Sequence, residues 1–240
     1  MKNDNFGILY IVATPIGNLE DITFRAVRIL EEVDAVLCED TRVTQKLLSH
    51  YHLETKTISY FQHSRVSKVD SIIKMLLDGS KLALVTDAGT PGISDPGQEL
   101  IANIREEAPD TQIIPIPGPN AIGAAASVSG FIEKEFYFAG FLPKKKGRQT
   151  KLKELAKLSS PIIIYESALR LPKTLKDVRD FFGSNTRILI AREMTKIYEE
   201  YWEGKILDVA DDLKNHTLKG EIVLIVKNNI KKVDREEDEG

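Results

Sequence analysis

Two kinds of apolar spacing alternate along the first half of the chain. Short continuous runs at 8–13, 35–38, 57–60, 82–86 and 113–116 read as strands, and most of them are apolar enough to be buried on both faces. Between them, apolar residues recur at helical intervals. Ile22, Ala26, Val27, Ile29, Leu30 and Val33 form one such series, with Asp21 or Thr23 placed to cap it. Residues 45–48 continue a second helix. Val69, Ile72, Ile73, Leu76 and Leu77 form a third, closed by Gly79, and 98–104 form a fourth. Strand and helix in strict alternation predict a largely parallel sheet with helices on both faces.

The pattern changes after Pro117-Gly118-Pro119, a sharp corner that reads as a domain hinge. A small-residue helix at 120–127 precedes an aromatic strand at 136–141 and a basic helix carrying Lys151, Lys153 and Lys157. Strands are expected at 162–165, 187–191, 198–202 and 221–226. Helices are expected through Leu175, Val178 and Phe181 and over 206–214. Strands that follow one another directly make this half a mixed α+β domain. The predicted division is 1–117, an α/β domain, and 118–227, a mixed α/β domain. The charged tail 228–240 is expected to be disordered.

Composition narrows the function classes. The 240 residues are 42% hydrophobic and 29% charged, with a net charge of −3, so a polyanion could be held only by a local basic patch. One cysteine, Cys38, excludes an internal disulfide and a multi-cysteine metal site. His50, His52, His63 and His216 lack ligand spacing, so no metal is expected. No apolar run reaches membrane-spanning length and residues 1–7 lack a signal-peptide core, which predicts a cytoplasmic protein. There is no G-x-G-x-x-G after the first strand, no phosphate-binding P-loop and no G-x-S-x-G elbow.

Chemistry is therefore sought in the loops. The run from Asp87 to Gly97 crosses from strand to helix and combines three glycines with two prolines, a path at once permissive and stiff. Loops at the carboxyl ends of strands form the ligand crevice of open α/β sheets. Across the loops 14–19, 39–42, 87–97, 117–121, 165–167, 191–196 and 219–221, carboxylates recur: Glu39, Asp40, Asp87, Asp95, Glu166, Glu193 and Glu221. A cationic ligand with amino and sulfonium groups suits such walls better than a phosphorylated one. Each carboxylate taken singly is equally a cap or turn residue.

Six stretches together carry a resemblance that spans 8–226. They are Thr14-Pro15-Ile16-Gly17-Asn18-Leu19, Glu39-Asp40-Thr41-Arg42, the loop from Thr86 to Gly97, Ile116-Pro117-Gly118-Pro119-Asn120-Ala121, Ala191-Arg192-Glu193 with Thr195-Lys196, and Gly220-Glu221. In order and spacing the chain resembles the tetrapyrrole methylase-like (class III) methyltransferases, in the branch of the bacterial 16S ribosomal RNA cytidine 2′-O-methyltransferases. The resemblance implies a two-domain fold and a homodimer. It implies S-adenosylmethionine as donor in the cleft between the domains, S-adenosylhomocysteine as product, and a cytidine ribose of the small-subunit decoding centre as acceptor. It places donor contacts at Thr86, Asp87, Ala88 and Gly89, at Ile93, Ser94 and Asp95, and at Pro117, Asn120, Ala121 and Ile122. Adenine-side contacts are implied at Tyr165, Glu166, Ala191, Arg192, Lys219, Gly220 and Glu221. The porphyrinoid relatives carry a glycine-rich first loop with an aspartate, which Thr14–Asn18 lacks; a porphyrinoid C-methyltransferase is thus the second reading, and a non-catalytic ribosome-binding protein the third.

A ribose hydroxyl is a weak nucleophile, so a base or an alkoxide-stabilising cation is required. Asp40, Lys196, Glu193 and Asp87 are the candidates, with Arg42 or Arg192 to orient them; each also reads as a cap or salt-bridge partner. For RNA, Lys144, Lys145, Lys146 and Arg148 form the densest basic cluster, extended by Lys151 and Lys153, with Arg25, Arg28, Arg42, Arg65 and Arg170 as further cations. A charge run of this kind serves equally as a solvated face. Phe61, Tyr137 and Tyr165 are candidates to stack on an exposed base.

Overall fold

A computed structural model describes residues 6–60, 66–95, 97–216 and 218–228. Phe61, Arg65 and the tail from 229 onward lie outside them. The chain divides into two compact units, Met1–Asn120 and Ala121–Gly240.

In the first unit, β1 (Ile8–Val12), β2 (Ala35–Cys38), β3 (Thr57–Ser59), β4 (Lys81–Leu84) and β5 (Gln112–Ile116) form one sheet in the order β3-β2-β4-β1-β5. Every pairing is parallel, so all five carboxyl ends lie on one edge. Because successive side chains leave a strand on opposite faces, the continuous apolar runs feed two cores. Leu37, Leu82 and Leu84 join Ile72 and Leu76 of α3 (Val66–Leu77) and Leu100 and Ile104 of α4 (Gly97–Glu107). Val36, Cys38, Ala83 and Val85 join Ile29 and Leu30 of α1 (Phe24–Glu32) and Leu47 and Leu48 of α2 (Thr41–His50). Thr23, one of the two expected caps, starts α1 by accepting from the Ala26 amide at 3.1 Å.

The second unit holds a mixed sheet in the order β6-β7-β10-β8-β9, from β6 (Tyr137–Phe141), β7 (Ile162–Ser167), β8 (Arg187–Arg192), β9 (Glu200–Lys205) and β10 (Glu221–Lys227). Only β6 and β7 pair in parallel; β10 runs antiparallel to β7 and β8, and β9 to β8. Ile162, Ile164, Ile190 and Leu224 pack under α6 (Arg148–Leu155), α7 (Leu171–Phe182) and α8 (Ile206–Asp212). The small-residue helix α5 (Ala121–Ser129) packs against β10.

Two expectations are corrected by local chemistry. The 39–42 segment is not all loop: Asp40 caps α2, which begins at Thr41. The expected strand 198–202 begins at Glu200 and runs to Lys205, because Glu193 and Thr195 adopt positive φ and turn the chain before the ladder to β8 starts.

Candidate active site

The carboxyl edge of the first sheet gathers loops from four strands. Thr14, after β1, makes an isolated two-bond bridge to Gly89: its amide donates to the Gly89 carbonyl at 2.9 Å, and the Gly89 amide donates back at 3.0 Å. The Thr14 hydroxyl also donates to the Thr86 carbonyl at 3.0 Å. Gly89 sits at φ +88°, which a side chain adopts only under strain. After β5, the Thr90 hydroxyl donates to the Pro119 carbonyl at 3.2 Å and accepts from the Asn120 side-chain amide at 3.3 Å. After β2, the Asp40 amide donates to Asp87 Oδ1 at 3.2 Å. The long loop is thus braced from three sides, and Ser94 holds a left-handed φ of 67° within it.

Charge is concentrated on this edge. Asp95 is pushed up to about 6 by burial and by the charges of Glu39 and Asp87, against a hydrogen bond from Thr86. Partial desolvation of the carboxyl and the Asp40 charge raise Asp87 as well, and desolvation with the Asp87 charge raises Glu39. Asp40 moves the other way, to about 2, because the Arg42 guanidinium grips it with two prongs at 2.6 and 3.0 Å and the Arg42 amide adds a third bond at 2.8 Å. Such a weakly basic carboxylate orients Arg42 and caps α2; it is poorly suited to take a proton. Thr86 and Gly89 are buried, whereas Asp87, Ala88, Ile93 and Ser94 are exposed. Pro117 is exposed too, and Asn120 is half-buried.

The second unit holds the other candidates. Glu193, at φ 50°, accepts from Lys196 Nζ at 2.8 Å and from the Glu221 amide at 3.0 Å. Lys196 Nζ reaches the Glu221 carboxylate at 2.9 Å. A Cβ on Gly220 would overlap the Glu193 side chain, so the glycine at this position is what lets the carboxylate close over the loop. Burial opposes both ionisations, yet the bonds from Lys196 and the Glu221 amide hold Glu193 low, and the two carboxylates hold Lys196 high. Lys196 is therefore held as an ammonium, which is not a base.

Several expected contacts have other occupations. The Glu166 carboxylate is fully buried; it accepts from Thr174 Oγ1 at 2.6 Å and from the Ser167 amide at 2.9 Å, and pairs with Arg170 at 3.2 Å. Its side chain fastens β7 to α7, whereas its neighbour Tyr165 is half-buried on the opposite face between Phe138 and Phe141. Arg192 is nearly buried and bonds Glu200 at 2.8 Å and the Lys219 carbonyl at 2.9 Å. Ala191 and Ile122 are buried, while Lys219 and Gly220 are exposed.

Arg148 requires a correction. It does not join the exposed basic loop: only 5% accessible, it bonds Asp177 at 2.7 Å, Thr174 at 2.8 Å and the Pro143 carbonyl at 3.2 Å. Sequence periodicity does not reveal this, because its side-chain partners are 26 and 29 residues away. Arg148→Ala is expected to lower stability by about 2 kcal/mol, the scale for losing hydrogen bonds to a charged group. Urea denaturation at neutral pH measures it. By contrast Lys144, Lys145 and Lys146 are exposed, and Lys151 leans over the Tyr137 ring at 5.0 Å.

Comparison with known proteins bears on what this edge is for. The model of the tetrapyrrole (corrin/porphyrin) methylases matches residues 8–210. A ribosomal RNA small subunit methyltransferase I of Halalkalibacterium halodurans is 45% identical over 98% of this chain and 81% of its own length. One from Synechocystis is 46% identical over 92% of this chain and 78% of its own. Among solved structures, a uroporphyrin-III C-methyltransferase from Thermus thermophilus complexed with S-adenosylhomocysteine superposes with a TM-score of 0.64 at 15% identity, covering 91% of this chain and 97% of that one. With that family domain matched over residues 8–210 and a relative 45% identical over nearly the whole chain, the chain belongs to the tetrapyrrole methylase family.

Proposed function

We propose that the chain transfers a methyl group from S-adenosylmethionine to the ribose 2′-hydroxyl of a cytidine in the decoding centre of 16S ribosomal RNA. S-adenosylhomocysteine is the other product, and the protein works in the cytoplasm as a homodimer on the small ribosomal subunit. The observation that carries this reading is the 45–46% identity, over almost the whole chain, to relatives named for methylating the small-subunit RNA.

The chemistry of the first unit fits the donor. Asp87 and Asp95 are both raised by desolvation and by neighbouring carboxylates, so a cation among them relieves a repulsion already present. When bound, the donor supplies an electrophilic methyl carbon on a sulfonium. The chain's part is alignment: the bridge from Thr14 to Gly89 and the Thr90–Asn120 bond fix the loop that carries Asp87 and Asp95. On the second unit, Lys196 is the group suited to a developing alkoxide, with Glu193 as its positioning residue. Asp40 keeps a role through Arg42 and the Asp87 bond. Tyr165, Ala191, Lys219, Gly220 and Glu221 remain assigned to the adenine side on the strength of the resemblance.

A tritiated-methyl assay on purified small subunits, followed by mapping of the labelled nucleotide, tests the reading. Label on a cytidine ribose is expected; label on a base, or methylation of uroporphyrinogen in place of RNA, rejects it. The exposed Lys144–Lys146 loop is expected to contact phosphates. Changing all three to Ala should reduce the slope of log K against log salt by about 2, at roughly 0.7 per contact on a single strand. An unchanged slope in a salt titration removes this loop from the RNA surface.

A further inference from the structure

A groove of about 810 Å³ on the first unit has Arg42 as the one lining residue with a role in the foregoing account. It runs along α2, where Arg42, Gln45, Lys46, Ser49 and His50 line it, with Thr57 of β3 as a further wall. These α2 positions follow helical spacing, and the opposite face of the helix buries Thr44, Leu47 and Leu48. The polar face extends on the order of 12 Å from Arg42 to His50.

Its chemistry is one-sided. Each of these six side chains can donate a hydrogen bond, Thr41 and the apolar Leu19 complete the lining, and no carboxylate is among the lining residues. That is not general on this unit: a hollow of about 420 Å³ is lined by Glu31, Asp34 and Glu54 together with His52 and Lys56. Asp40 holds the Arg42 guanidinium in place and offsets its charge, so the net positive contribution comes from Lys46, with His50 as a neighbouring hydrogen-bond donor. Lys46 also lines an adjoining cleft of about 260 Å³ that reaches Thr14, Thr86 and Asp87. The donor-rich groove therefore leads directly to the braced loop.

Resting on the function proposed above, we infer that the α2 groove seats the sugar–phosphate backbone of a single-stranded RNA segment flanking the target nucleotide, whose ribose enters the smaller cleft beside Thr86 and Asp87. A cleft of that size admits one nucleoside and not a base pair, so an unpaired segment is the form it accepts. Phosphate and ribose oxygens are acceptors, which matches the donors along α2, while carbon surface between them leaves room for the sugar.

The test uses the full chain and a fluorescein-labelled oligoribonucleotide spanning the mapped methylation site, alone or annealed to its complement. Lys46→Ala combined with His50→Ala should raise Kd for the single strand about tenfold and lower the log–log salt slope by about 1. Gln45→Glu, which puts a carboxylate in the wall, should weaken binding further, while calorimetric uptake of S-adenosylmethionine stays at the wild-type level. Wild-type Kd and slope in both variants would overturn the groove assignment alone. Equal affinity for duplex and single strand would overturn its single-strand character. A wild-type protein that takes up donor but binds no RNA would sink the proposed function and this inference together.

Discussion

Lys196→Ala should lower kcat by about 10²–10³ while leaving KM for both substrates within a few-fold. That is the scale for removing one preorganised donor to a developing oxyanion, and loss in kcat with KM unchanged identifies an interaction made in the transition state. On the function proposed above, this work falls to Lys196. It stays an ammonium, held 2.8 Å from Glu193 and 2.9 Å from Glu221, in a loop where Glu193 and Thr195 both take left-handed backbone conformations. Each such residue costs on the order of 1–3 kcal/mol and persists only where its surroundings over-determine it. The Glu193 amide bond to the Glu221 carbonyl at 3.0 Å and the Lys196 amide bond to the Glu193 carbonyl at 3.0 Å do that here. A purely structural brace makes a different forecast. The ion pair is partly exposed, so its loss costs no more than about 1 kcal/mol of stability, and single-turnover methylation would proceed near the wild-type rate. Lys196→Arg keeps the charge but not the geometry and should recover only part of the activity.

How far the sequence foretold this molecule depends on the distance over which each signal acts. The runs 35–38 and 82–86 are continuous because both faces of β2 and β4 are covered, and that covering is itself what a parallel sheet requires. Spacing of apolar positions located the helices for the same reason, since a helix writes its buried face into a repeat of three and four residues. The braced loop was visible through its glycines and prolines. Its bracing was not, because Thr14 reaches Thr86 across 72 residues. The same limit explains Arg148 and Glu166. Each is an ordinary charged residue in the sequence, and each becomes structural only when α7 brings Thr174 between them. Asp40 shows the reverse: its cap is written locally, in the two-residue step to Arg42, and the structure places its side chain at the start of α2.

Asp95→Asn should move stability and donor binding in opposite directions. In the folded protein the Asp95 carboxyl titrates at about 6, against about 3.9 in an unfolded chain. Below about pH 4 both states hold the proton and the group is neutral towards stability. Between about pH 4 and 6 the unfolded state releases its proton first, so the native state loses ground, and above about pH 6 the penalty is constant. Asparagine mimics the protonated acid, so the variant should match wild type near pH 4 and exceed it at pH 8. The gap between the two titrations is worth roughly 1.4 kcal/mol for each pH unit. Solvent reaching the half-buried carboxyl screens part of that, which leaves a gain of about 1–2 kcal/mol. Urea denaturation at the two pH values measures the difference; an equal gain at both would place the effect elsewhere than in ionisation. Donor binding should fall about tenfold or more at pH 8, because the same charge that strains the free protein attracts the cation. Between about pH 5 and 7 the donor's own amino group stays protonated, so wild-type affinity should rise as Asp95 ionises while that of the variant stays flat. The carboxylates of this edge would then be a liability in the empty protein, retained because the ligand they await is positively charged.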